Sequence, residues 1–444
     1  MAREYFGTDG IRGRVGEHPM TVEFALRLAG AAARVLAHDG GSVLIGKDTR
    51  LSGYMFESAL EAGFVAAGVN VLMMGPLPTP GIAYMTQKLG CKLGVVISAS
   101  HNPFEDNGIK FFDAQGGKLS DELEEQIEAQ LALPAVTRPS NELGVARRVD
   151  TSRTQYQAFC RSTLPPGVTL AGLKIVVDCA NGAAYKVAPR TLSDLGAEIV
   201  PIGSSPNGRN INVGCGSTAP ELLQLTVPGV HAHVGVALDG DGDRLLMVDH
   251  LGRIVDGDQL LFIIACARHA EGTLEGPVVG TLMSNLGLEL ALRQRGIAFE
   301  RAAVGDRYVL ARLRETGGVL GGETSGHILC LDRTTTGDGL VSALQVLAVM
   351  QQTHKSLAEL ASGMTRLPQV MLNVEVAERF DPLSMPNIKA LLHSLEAQLG
   401  DRGRVVLRAS GTEPLIRVMV EAQEESLARR CAEQLSAAVR AVGA

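Results

Sequence analysis

Short apolar runs alternate with segments of helical period along most of this chain, and this alternation limits its fold more than any other feature. Near the N-terminus, residues 42–45, 69–74 and 93–98 have the composition of strands, and residues 51–67 have that of a helix. Such alternation is typical of βαβ units, in which helices connect the strands of a mainly parallel sheet. The sequence therefore predicts an α/β fold.

The alternation resumes twice more before the pattern changes near residue 365. Strands are predicted at 173–178, 197–202, 234–238, 277–282 and 299–304, with helices at 183–195 and from about residues 257 and 285. A chain of 444 residues is too long for a single hydrophobic core. We predict three α/β domains of similar topology at 1–150, 151–255 and 256–365, followed by a smaller α+β domain at 366–444. A polar, Pro-containing stretch before about Thr151 is predicted to be a linker.

Charge and cysteine content argue against several classes of protein. Forty-one Lys and Arg against 48 Asp and Glu leave a net charge of −7, which disfavours non-specific nucleic-acid binding. The seven cysteines form no CxxC pair, so neither a zinc site nor a disulfide framework is expected. The N-terminus has no apolar signal segment, and no apolar run is long enough to span a bilayer. We therefore expect a cytoplasmic protein.

The motif DGDGDR, at residues 239–244, directly follows an apolar predicted strand. Asp239, Asp241 and Asp243 alternate with glycines, so three short carboxylates can bend around one hard cation such as Mg²⁺. Without a cation these carboxylates would repel one another at the end of a buried strand. A calcium-binding EF-hand loop does not fit, because Arg244 occupies the position of its invariant glycine. The motif therefore predicts a metal site.

The stretch SASHNPFEDNGIKFF places a serine, a histidine and a lysine close together after a predicted strand. Ser100 is a candidate nucleophile with His101 and Lys110 beside it, because serine reacts only when neighbouring groups activate it. No GxSxG motif surrounds Ser100, which disfavours a serine hydrolase. A plain turn, with Pro103 preventing a helix, is the alternative interpretation.

The stretch GGETSGH contains three polar residues at period two. Glu323, Ser325 and His327 would share one face if the segment were extended. A carboxylate, a hydroxyl and an imidazole on one face suit the hydroxyl groups of a sugar. A hairpin turn with incidental polar groups is an equally good interpretation of this stretch alone.

The stretch RASGTEPLIR combines a tight turn with two arginines. Ser410, Gly411 and Thr412 offer backbone N–H groups and hydroxyls to an anion, and Arg408 and Arg417 could bind phosphate through paired hydrogen bonds. An ordinary hairpin with surface arginines is the alternative. No GxxxxGK[ST] or GxGxxG motif occurs, so nucleotide-binding interpretations lose support. Together the four motifs indicate phosphoryl transfer on a phosphorylated sugar.

In this order and spacing, SASHNP, DGDGDR, GETSGH and RASGTEP resemble the motifs of the α-D-phosphohexomutase superfamily. FGTDGIRG at 6–13, GKDTRLSG at 46–53, GDRYV at 305–309 and DRTTTGDG at 332–339 are similar to the branch that isomerises glucosamine phosphates. The resemblance extends from Arg3 to the final predicted helix. It implies three similar α/β domains and a smaller C-terminal domain, which form a heart-shaped molecule with a central cleft.

The resemblance also implies a role for the serine and aspartate motifs. Ser100 would carry a phosphate as phosphoserine. One Mg²⁺ ion per chain would be held by a phosphoserine oxygen together with Asp239, Asp241 and Asp243.

Further residues are assigned by the same resemblance. Arg12 would position the phosphoserine, and Lys110 is the favoured acid–base residue. His101 is carried over as a further catalytic candidate. The residues expected to bind the sugar and its non-reacting phosphate are Arg244, Glu323, Ser325, His327, Arg408, Ser410, Gly411, Thr412 and Arg417.

The implied reaction interconverts glucosamine 6-phosphate and glucosamine 1-phosphate, a step toward UDP-N-acetylglucosamine and the cell wall. A hexosamine or hexose 1,6-bisphosphate would be the intermediate and the activator. A phosphoglucomutase or phosphomannomutase with the same mechanism is the nearest alternative, and a metal-dependent phosphatase and a non-catalytic sugar-phosphate sensor are more distant ones. The expected partner is a small phosphosugar rather than nucleic acid or a membrane, and a homodimer is compatible with the sequence.

Overall fold

The computed structural model describes residues 4–378, 380–409 and 414–443. Within these residues the strands form four sheets, and each sheet falls inside one of the four predicted domain ranges. None of the described helices is long and apolar enough to cross a membrane. Short 3₁₀ helices lie at Ser140–Glu142, Pro382–Ser384 and Gly400–Arg402.

The first domain is built on a six-stranded sheet. Its elements are β1 (Ile11–Arg14), α1 (Val22–Leu36), β2 (Ser42–Lys47), α2 (Ser52–Ala66), β3 (Asn70–Pro76), α3 (Thr79–Lys88), β4 (Leu93–Ile97), β5 (Asp106–Phe112), α4 (Asp121–Leu131) and β6 (Ala146–Arg148). The strand order is β1-β5-β4-β2-β3-β6, with β5 antiparallel to both of its neighbours. The linker predicted before Thr151 contains β6, which pairs in parallel with β3. This strand has no apolar periodicity, so only its pairing with a distant strand defines it.

The second domain has a five-stranded sheet. Its elements are α5 (Ser152–Ser162), β7 (Lys174–Asp178), α6 (Val187–Asp194), β8 (Glu198–Ile202), α7 (Glu221–Gly229), β9 (Val234–Leu238), β10 (Leu245–Asp249) and β11 (Ile254–Val255). The order is β11-β10-β9-β7-β8, with β7 parallel to β8 and β9. Helix α6 begins at Val187, later than the predicted residue 183, because the residues before it form turns and the Ala183 N–H donates to the Gly240 carbonyl oxygen at 2.8 Å.

The third domain has a four-stranded sheet of order β13-β12-β14-β15. Its elements are α8 (Gly257–Ala270), β12 (Val278–Thr281), α9 (Leu286–Arg293), β13 (Phe299–Ala302), α10 (Asp306–Thr316), β14 (Leu320–Gly322), β15 (Ile328–Cys330), α11 (Gly339–Thr353) and α12 (Leu357–Ala361). Strands β14 and β15 are antiparallel and form a hairpin.

The fourth domain is a small antiparallel sheet with two long helices. Its elements are β16 (Gln369–Glu375), α13 (Pro386–Leu399), β17 (Gly403–Ala409), β18 (Leu415–Ala422) and α14 (Glu425–Gly443). The strand order is β16-β18-β17. This α+β arrangement confirms the predicted fold class, whereas the heart shape stays a prediction.

The buried cores divide the molecule differently from the sheets. One continuous apolar cluster runs through the first three domains and includes Leu44, Val177 and Leu344. A separate cluster, with Ile416 and Leu435 among its members, belongs to the fourth domain. Apolar burial is the main favourable term in folding, so the shared core holds the first three domains together as one body.

Candidate active site

Three loops from three domains meet around the DGDGD motif. Ser100 follows β4, Asp239 follows β9, and His327 lies in the turn before β15. The Ser100 Oγ donates a hydrogen bond to Asp239 Oδ2 at 2.5 Å, and His327 Nδ1 lies 3.6 Å from Asp243 Oδ2. Ligand sites in α/β folds form at the carboxyl ends of strands, and β4 and β9 both end here.

Glycines allow the aspartate loop to curl tightly against the serine loop. Gly242 has a φ of +76°, a conformation that glycine adopts without a steric penalty. A Cβ on Gly240 would lie only 2.5 Å from the Ser100 carbonyl oxygen, so the close approach of the two loops requires glycine there. The backbone N–H groups of Gly242 and Arg244 donate to Asp239 Oδ1 at 3.1 and 3.2 Å.

The three aspartates fit a hard metal ion. Asp239, Asp241 and Asp243 are buried, and one carboxylate oxygen from each lies within 4.8 Å of the others. Asp241 Oδ1 and Asp243 Oδ1 are buried without a hydrogen-bond partner among the described residues, which is costly for a carboxylate unless a cation satisfies it. The donor set consists of oxygens alone, which suits Mg²⁺ rather than a soft transition metal.

Charge within this loop is unevenly distributed. Burial and the neighbouring Asp243 and Asp241 raise the pKa of Asp239 well above its usual value. Burial would also raise the pKa of Asp243, but the adjacent His327 outweighs burial and lowers it. The pKa of His327 rises to about 9, because the attraction of Asp243 exceeds the cost of burying an imidazolium. Asp243 and His327 therefore form a buried ion pair at neutral pH.

Lys110 is the principal cation of the cluster. From β5 its Nζ lies 2.8 Å from Asp9 Oδ2, 2.9 Å from Asp241 Oδ2 and 3.9 Å from Asp243 Oδ2. Burial alone would lower the pKa of Lys110, but the carboxylates of Asp241, Asp9 and Asp243 outweigh it and raise the pKa. Lys110 is consequently protonated at neutral pH, so it carries a proton and cannot accept one.

The candidate nucleophile has an unusual backbone conformation. Ser100 is buried and has a φ of +52°, which side-chain-bearing residues adopt rarely and often at functional sites. The His101 Nδ1 lies 3.3 Å from the Ser100 Oγ. Burial, and then the charges of Arg244 and Arg12, lower the pKa of His101 to about 4, so this imidazole is neutral at physiological pH.

A cavity of about 460 Å³ opens beside these groups. Its volume lies within the range of small-ligand sites. The predicted site residues that line it are Arg12, His101, Asp243, Arg244, Glu323 and His327. A larger cavity of about 1040 Å³ is lined by a mixture of exposed and more buried side chains, including four exposed histidines, and by none of the predicted site residues that the structure describes. The smaller cavity is the candidate active site, because it adjoins the nucleophile and the buried carboxylates.

The GGETSGH stretch is a hairpin turn and not an extended strand, because β14 ends at Gly322 and β15 begins at Ile328. The extended arrangement, in which Glu323, Ser325 and His327 would share one face, is therefore not formed, and the segment has the hairpin geometry of the alternative interpretation. The turn still aims Glu323 and His327 into the cavity, where Glu323 Oε1 accepts a hydrogen bond from the Gly305 N–H at 3.0 Å. Ser325 is exposed.

Only some of the residues predicted to bind the non-reacting phosphate lie in the described part of the chain. Arg408 on β17 and Arg417 on β18 are cross-strand partners, so their positions are adjacent in the sheet. Ser410, Gly411 and Thr412 lie outside the described residues.

Comparison with known proteins agrees with this geometry. Models of the phosphoglucomutase/phosphomannomutase family match all four domains: alpha/beta/alpha domain I at residues 3–134, domain II at 162–252, domain III at 256–367 and the C-terminal domain at 371–438. The chain belongs to the phosphoglucomutase/phosphomannomutase family.

Within this family, close relatives share one name. The chain is 58% identical to the phosphoglucosamine mutase of Methylococcus capsulatus, over 99% of both chains. It is also 58% identical to the phosphoglucosamine mutase of Thioalkalivibrio sulfidiphilus, over 100% of this chain and 99% of the relative.

Solved structures with the same fold include two that match nearly the whole chain. A phosphoglucomutase/phosphomannomutase family protein from Burkholderia thailandensis matches 98% of this chain and 97% of its own, with a TM-score of 0.80 and 25% identity. The N-acetylphosphoglucosamine mutase of Aspergillus fumigatus, solved with GlcNAc-6P and magnesium, matches 99% of this chain and 96% of its own, with a TM-score of 0.69 and 20% identity.

The sequence interpretation missed several half-buried charged residues at this site. Arg12 donates to Asp9, and Lys118 Nζ lies 2.6 Å from Asp9 Oδ1 and 2.5 Å from Asp306 Oδ2. Lys118 thus joins the first and third domains across the cavity. The motifs FGTDGIRG and GDRYV contain Asp9 and Asp306, so two of these residues carried a signal, whereas Lys118 stands in no motif.

Proposed function

We propose that this chain interconverts glucosamine 6-phosphate and glucosamine 1-phosphate, through a phosphoserine at Ser100 and a bisphosphate intermediate. The observation that carries the proposal is the buried contact between the Ser100 Oγ and the Asp239 carboxylate, at 2.5 Å. This contact places a nucleophile against a loop suited to a divalent cation, which is the arrangement that phosphoryl transfer requires. The name shared by the close relatives supports glucosamine phosphate as the substrate.

Asp239, Asp241, Asp243 and an oxygen of the phosphorylated Ser100 would hold one Mg²⁺ ion. When bound, the ion would neutralise negative charge on the phosphoryl group as it transfers. Two buried carboxylate oxygens, on Asp241 and Asp243, have no hydrogen-bond partner in the described part of the chain, which supports this ligand set.

The side chains around Ser100 would handle the proton of the substrate hydroxyl. The bond from phosphorus to the Ser100 Oγ breaks while a bond forms from phosphorus to the hydroxyl oxygen of the sugar. His101, which is neutral, would accept the hydroxyl proton, and Lys110, which is protonated, would donate a proton to the released Ser100 oxygen. Arg12 would hold the phosphate of phosphoserine as a positive group at the cavity wall.

The bisphosphate would then reorient and return its other phosphate to Ser100. In both orientations Glu323, His327 and Arg244 would contact the sugar from the cavity wall. The remaining proposed contacts are Ser325 for the sugar, and Arg408, Ser410, Gly411, Thr412 and Arg417 for the non-reacting phosphate.

The wider setting belongs to the same proposal. The product would feed UDP-N-acetylglucosamine synthesis in the cytoplasm, and a hexosamine or hexose 1,6-bisphosphate would activate enzyme that has lost its phosphate. A homodimer remains a prediction.

A phosphoglucomutase or phosphomannomutase would use the same groups, so the test must compare sugars. We expect a preference on the order of 10²-fold in kcat/KM for glucosamine phosphate over glucose phosphate, because Glu323 in the cavity offers a counter-charge to an ammonium group. Glucosamine, glucose and mannose 6-phosphates should be assayed side by side, each with its matching bisphosphate. A higher kcat/KM for glucose or mannose phosphate would leave the mutase mechanism intact but overturn the proposed substrate.

The phosphoenzyme has a separate test. The intact mass of the native protein should exceed the sequence mass by one phosphate, which peptide mapping should place on Ser100. Mutase turnover by a protein that never carries phosphate on Ser100 would overturn the proposed mechanism.

A further inference from the structure

Arg50 is the largest fully buried side chain among the described residues, and it lies behind the Ser100 loop. An arginine side chain has five N–H donors. Each of the five has an acceptor here: Nε donates to Asp48 Oδ2, Nη1 to the carbonyl oxygens of Pro103 and Asp106, and Nη2 to those of Ser100 and Asn102. Four of these acceptors are main-chain carbonyls of the one loop that carries the nucleophile.

A buried guanidinium is costly unless every donor is paired, so this side chain fits only a loop that keeps its four carbonyls turned inward. Lysine could not replace it, because an ammonium group has three donors and lacks the planar fork of arginine. The side chain and the loop conformation therefore require one another.

The main chain of Ser100 is held on both sides. Its N–H donates to Ser98 Oγ at 3.0 Å, and that hydroxyl donates to Asp48 Oδ2 at 2.6 Å. Its carbonyl oxygen accepts from Arg50 Nη2 at 3.0 Å and from Asn212 Nδ2, in the second domain, at 2.9 Å. These bonds fix the left-handed φ of +52° and so the direction in which the Oγ points.

Asn212 extends the same restraint across the domain boundary. Its Nδ2 also donates to the Asn102 carbonyl at 3.1 Å, so Arg50 and Asn212 share two acceptors. Asn212 itself has a φ of +60°, which places a second strained residue against the loop. Strained backbone persists only where the surroundings enforce it, and here the two side chains do so.

We propose that Arg50, assisted by Asn212, is a positioning residue for phosphoryl transfer: it holds the Ser100 loop so that the phosphate-bearing oxygen faces the aspartate cluster. The proposal rests on the proposed function, since it assigns Arg50 a role in that reaction. Neither side chain touches the substrate cavity, so the effect is on the geometry of the nucleophile and not on sugar binding.

The test compares Arg50→Lys with Arg268→Lys, a matched change at another buried arginine, which pairs with Asp332 at 2.8 Å away from the loop. Both variants should lose thermal stability. We expect Arg50→Lys to lower kcat roughly 10²-fold with KM within about twofold of wild type, because small misplacements of reacting groups have effects of that size. Arg268→Lys should keep kcat within about twofold when both are assayed well below their melting temperatures.

A second readout separates positioning from general loss of structure. With a misdirected phosphoserine, more phosphate should be lost to water for each mutase turnover, so the ratio of bisphosphate hydrolysis to isomerisation should rise in Arg50→Lys alone. Equal kcat and equal hydrolysis ratios in the two lysine variants would overturn the proposal.

If Arg50→Lys does not fold, Asn212→Ala tests the same proposal, because it removes the second side chain that donates to the carbonyl oxygens of Ser100 and Asn102. A lower kcat with a raised hydrolysis ratio supports positioning, and wild-type values for both overturn it. If the wild-type protein carries no phosphoserine or shows no mutase turnover, the proposed function itself is wrong.

Discussion

The first three domains and the fourth are built in different ways. The first three share one apolar core, to which the first domain adds a cluster of its own. They are joined at the candidate active site by ion pairs, the buried pair of Lys110 with Asp241 and the half-buried pair of Lys118 with Asp306. The fourth has a core of its own. Its described contacts with the third domain include polar ones through buried Glu421, which accepts from Asn285 Nδ2 at 3.2 Å and from the Leu286 N–H at 3.1 Å.

This difference corresponds to two tasks within the proposed reaction. The nucleophile and the metal ligands must keep a fixed geometry, which a shared core and paired charges provide. The phosphate site must accept either phosphate of the bisphosphate intermediate, which a domain with a separate core can accommodate by moving as a unit. We therefore expect changes in the shared body to lower kcat, and changes in the fourth domain to raise KM.

The largest effect is expected at the nucleophile. Ser100→Ala removes the oxygen that would carry the phosphate, so kcat should fall by roughly 10³-fold or more while the fold is kept. Steady-state assays with added bisphosphate, together with the intact mass, provide the measurement. Full activity in this variant would show that the reaction does not pass through a phosphoserine at Ser100. It would also contradict the catalytic role that we assign to the first three domains.

The next effect is expected at the metal loop. Asp241→Asn removes one carboxylate charge from the cluster, which should weaken Mg²⁺ binding and lower kcat by roughly 10²-fold at limiting Mg²⁺. Stability should change little, because the asparagine oxygen can still accept from the Thr79 hydroxyl, which lies 2.7 Å from Asp241 Oδ2. The rate should be titrated against Mg²⁺ concentration.

Asp249→Asn is the matched control for this change. Asp249 is a buried aspartate at the far end of β10, where it pairs with Arg253 and not with the cluster. If both variants show the Mg²⁺ dependence of wild type, the DGDGD loop is not the metal site.

A smaller effect, of a different kind, is expected in the fourth domain. Arg417→Ala should raise KM for the phosphosugar about 10-fold, the loss expected for one charge-assisted hydrogen bond to phosphate. The control is Arg429→Ala on α14, an exposed arginine of the same domain that pairs with Glu425. Initial rates over a range of substrate concentrations separate KM from kcat. A fall in kcat alone would show that the fourth domain takes part in chemistry, which contradicts the division of tasks.

Local sequence patterns were sufficient to predict the elements that position the site. The strand predicted at 234–238 is β9 as observed, and the aspartates that follow it form the cluster that their spacing predicts. Such features depend on a few consecutive residues, whose apolar run and glycine spacing already determine the backbone.

Features that depend on distant partners escaped prediction. The short strand β6 exists through its pairing with β3, and the role of Arg50 depends on carbonyls about 50 residues away. In each case a tertiary contact, which no local pattern records, determines the structure.

The smallest effect concerns how the shared body responds to pH. Asp338, the N-cap of α11, accepts a hydrogen bond from the Tyr156 hydroxyl at 2.6 Å and so joins the third domain to the second. Burial raises its pKa from 3.8 to about 6. Between these values the unfolded chain loses a proton that the folded protein retains, so this group reduces stability as pH rises from about 4 to about 6.

The difference between the two pKa values lowers the free energy of unfolding by roughly 3 kcal/mol at most. The asparagine in Asp338→Asn cannot ionise. Between pH 4 and pH 7, the melting temperature of the variant should therefore rise by a few degrees relative to that of the wild type. Because Asp338 lies in the shared body, the gain should appear in the melting of the first three domains and not in that of the fourth. If the melting temperatures of the two proteins change with pH in parallel, Asp338 is as ionised in the folded protein as in the unfolded chain. The contact between the second and third domains would then not depend on the proton of Asp338.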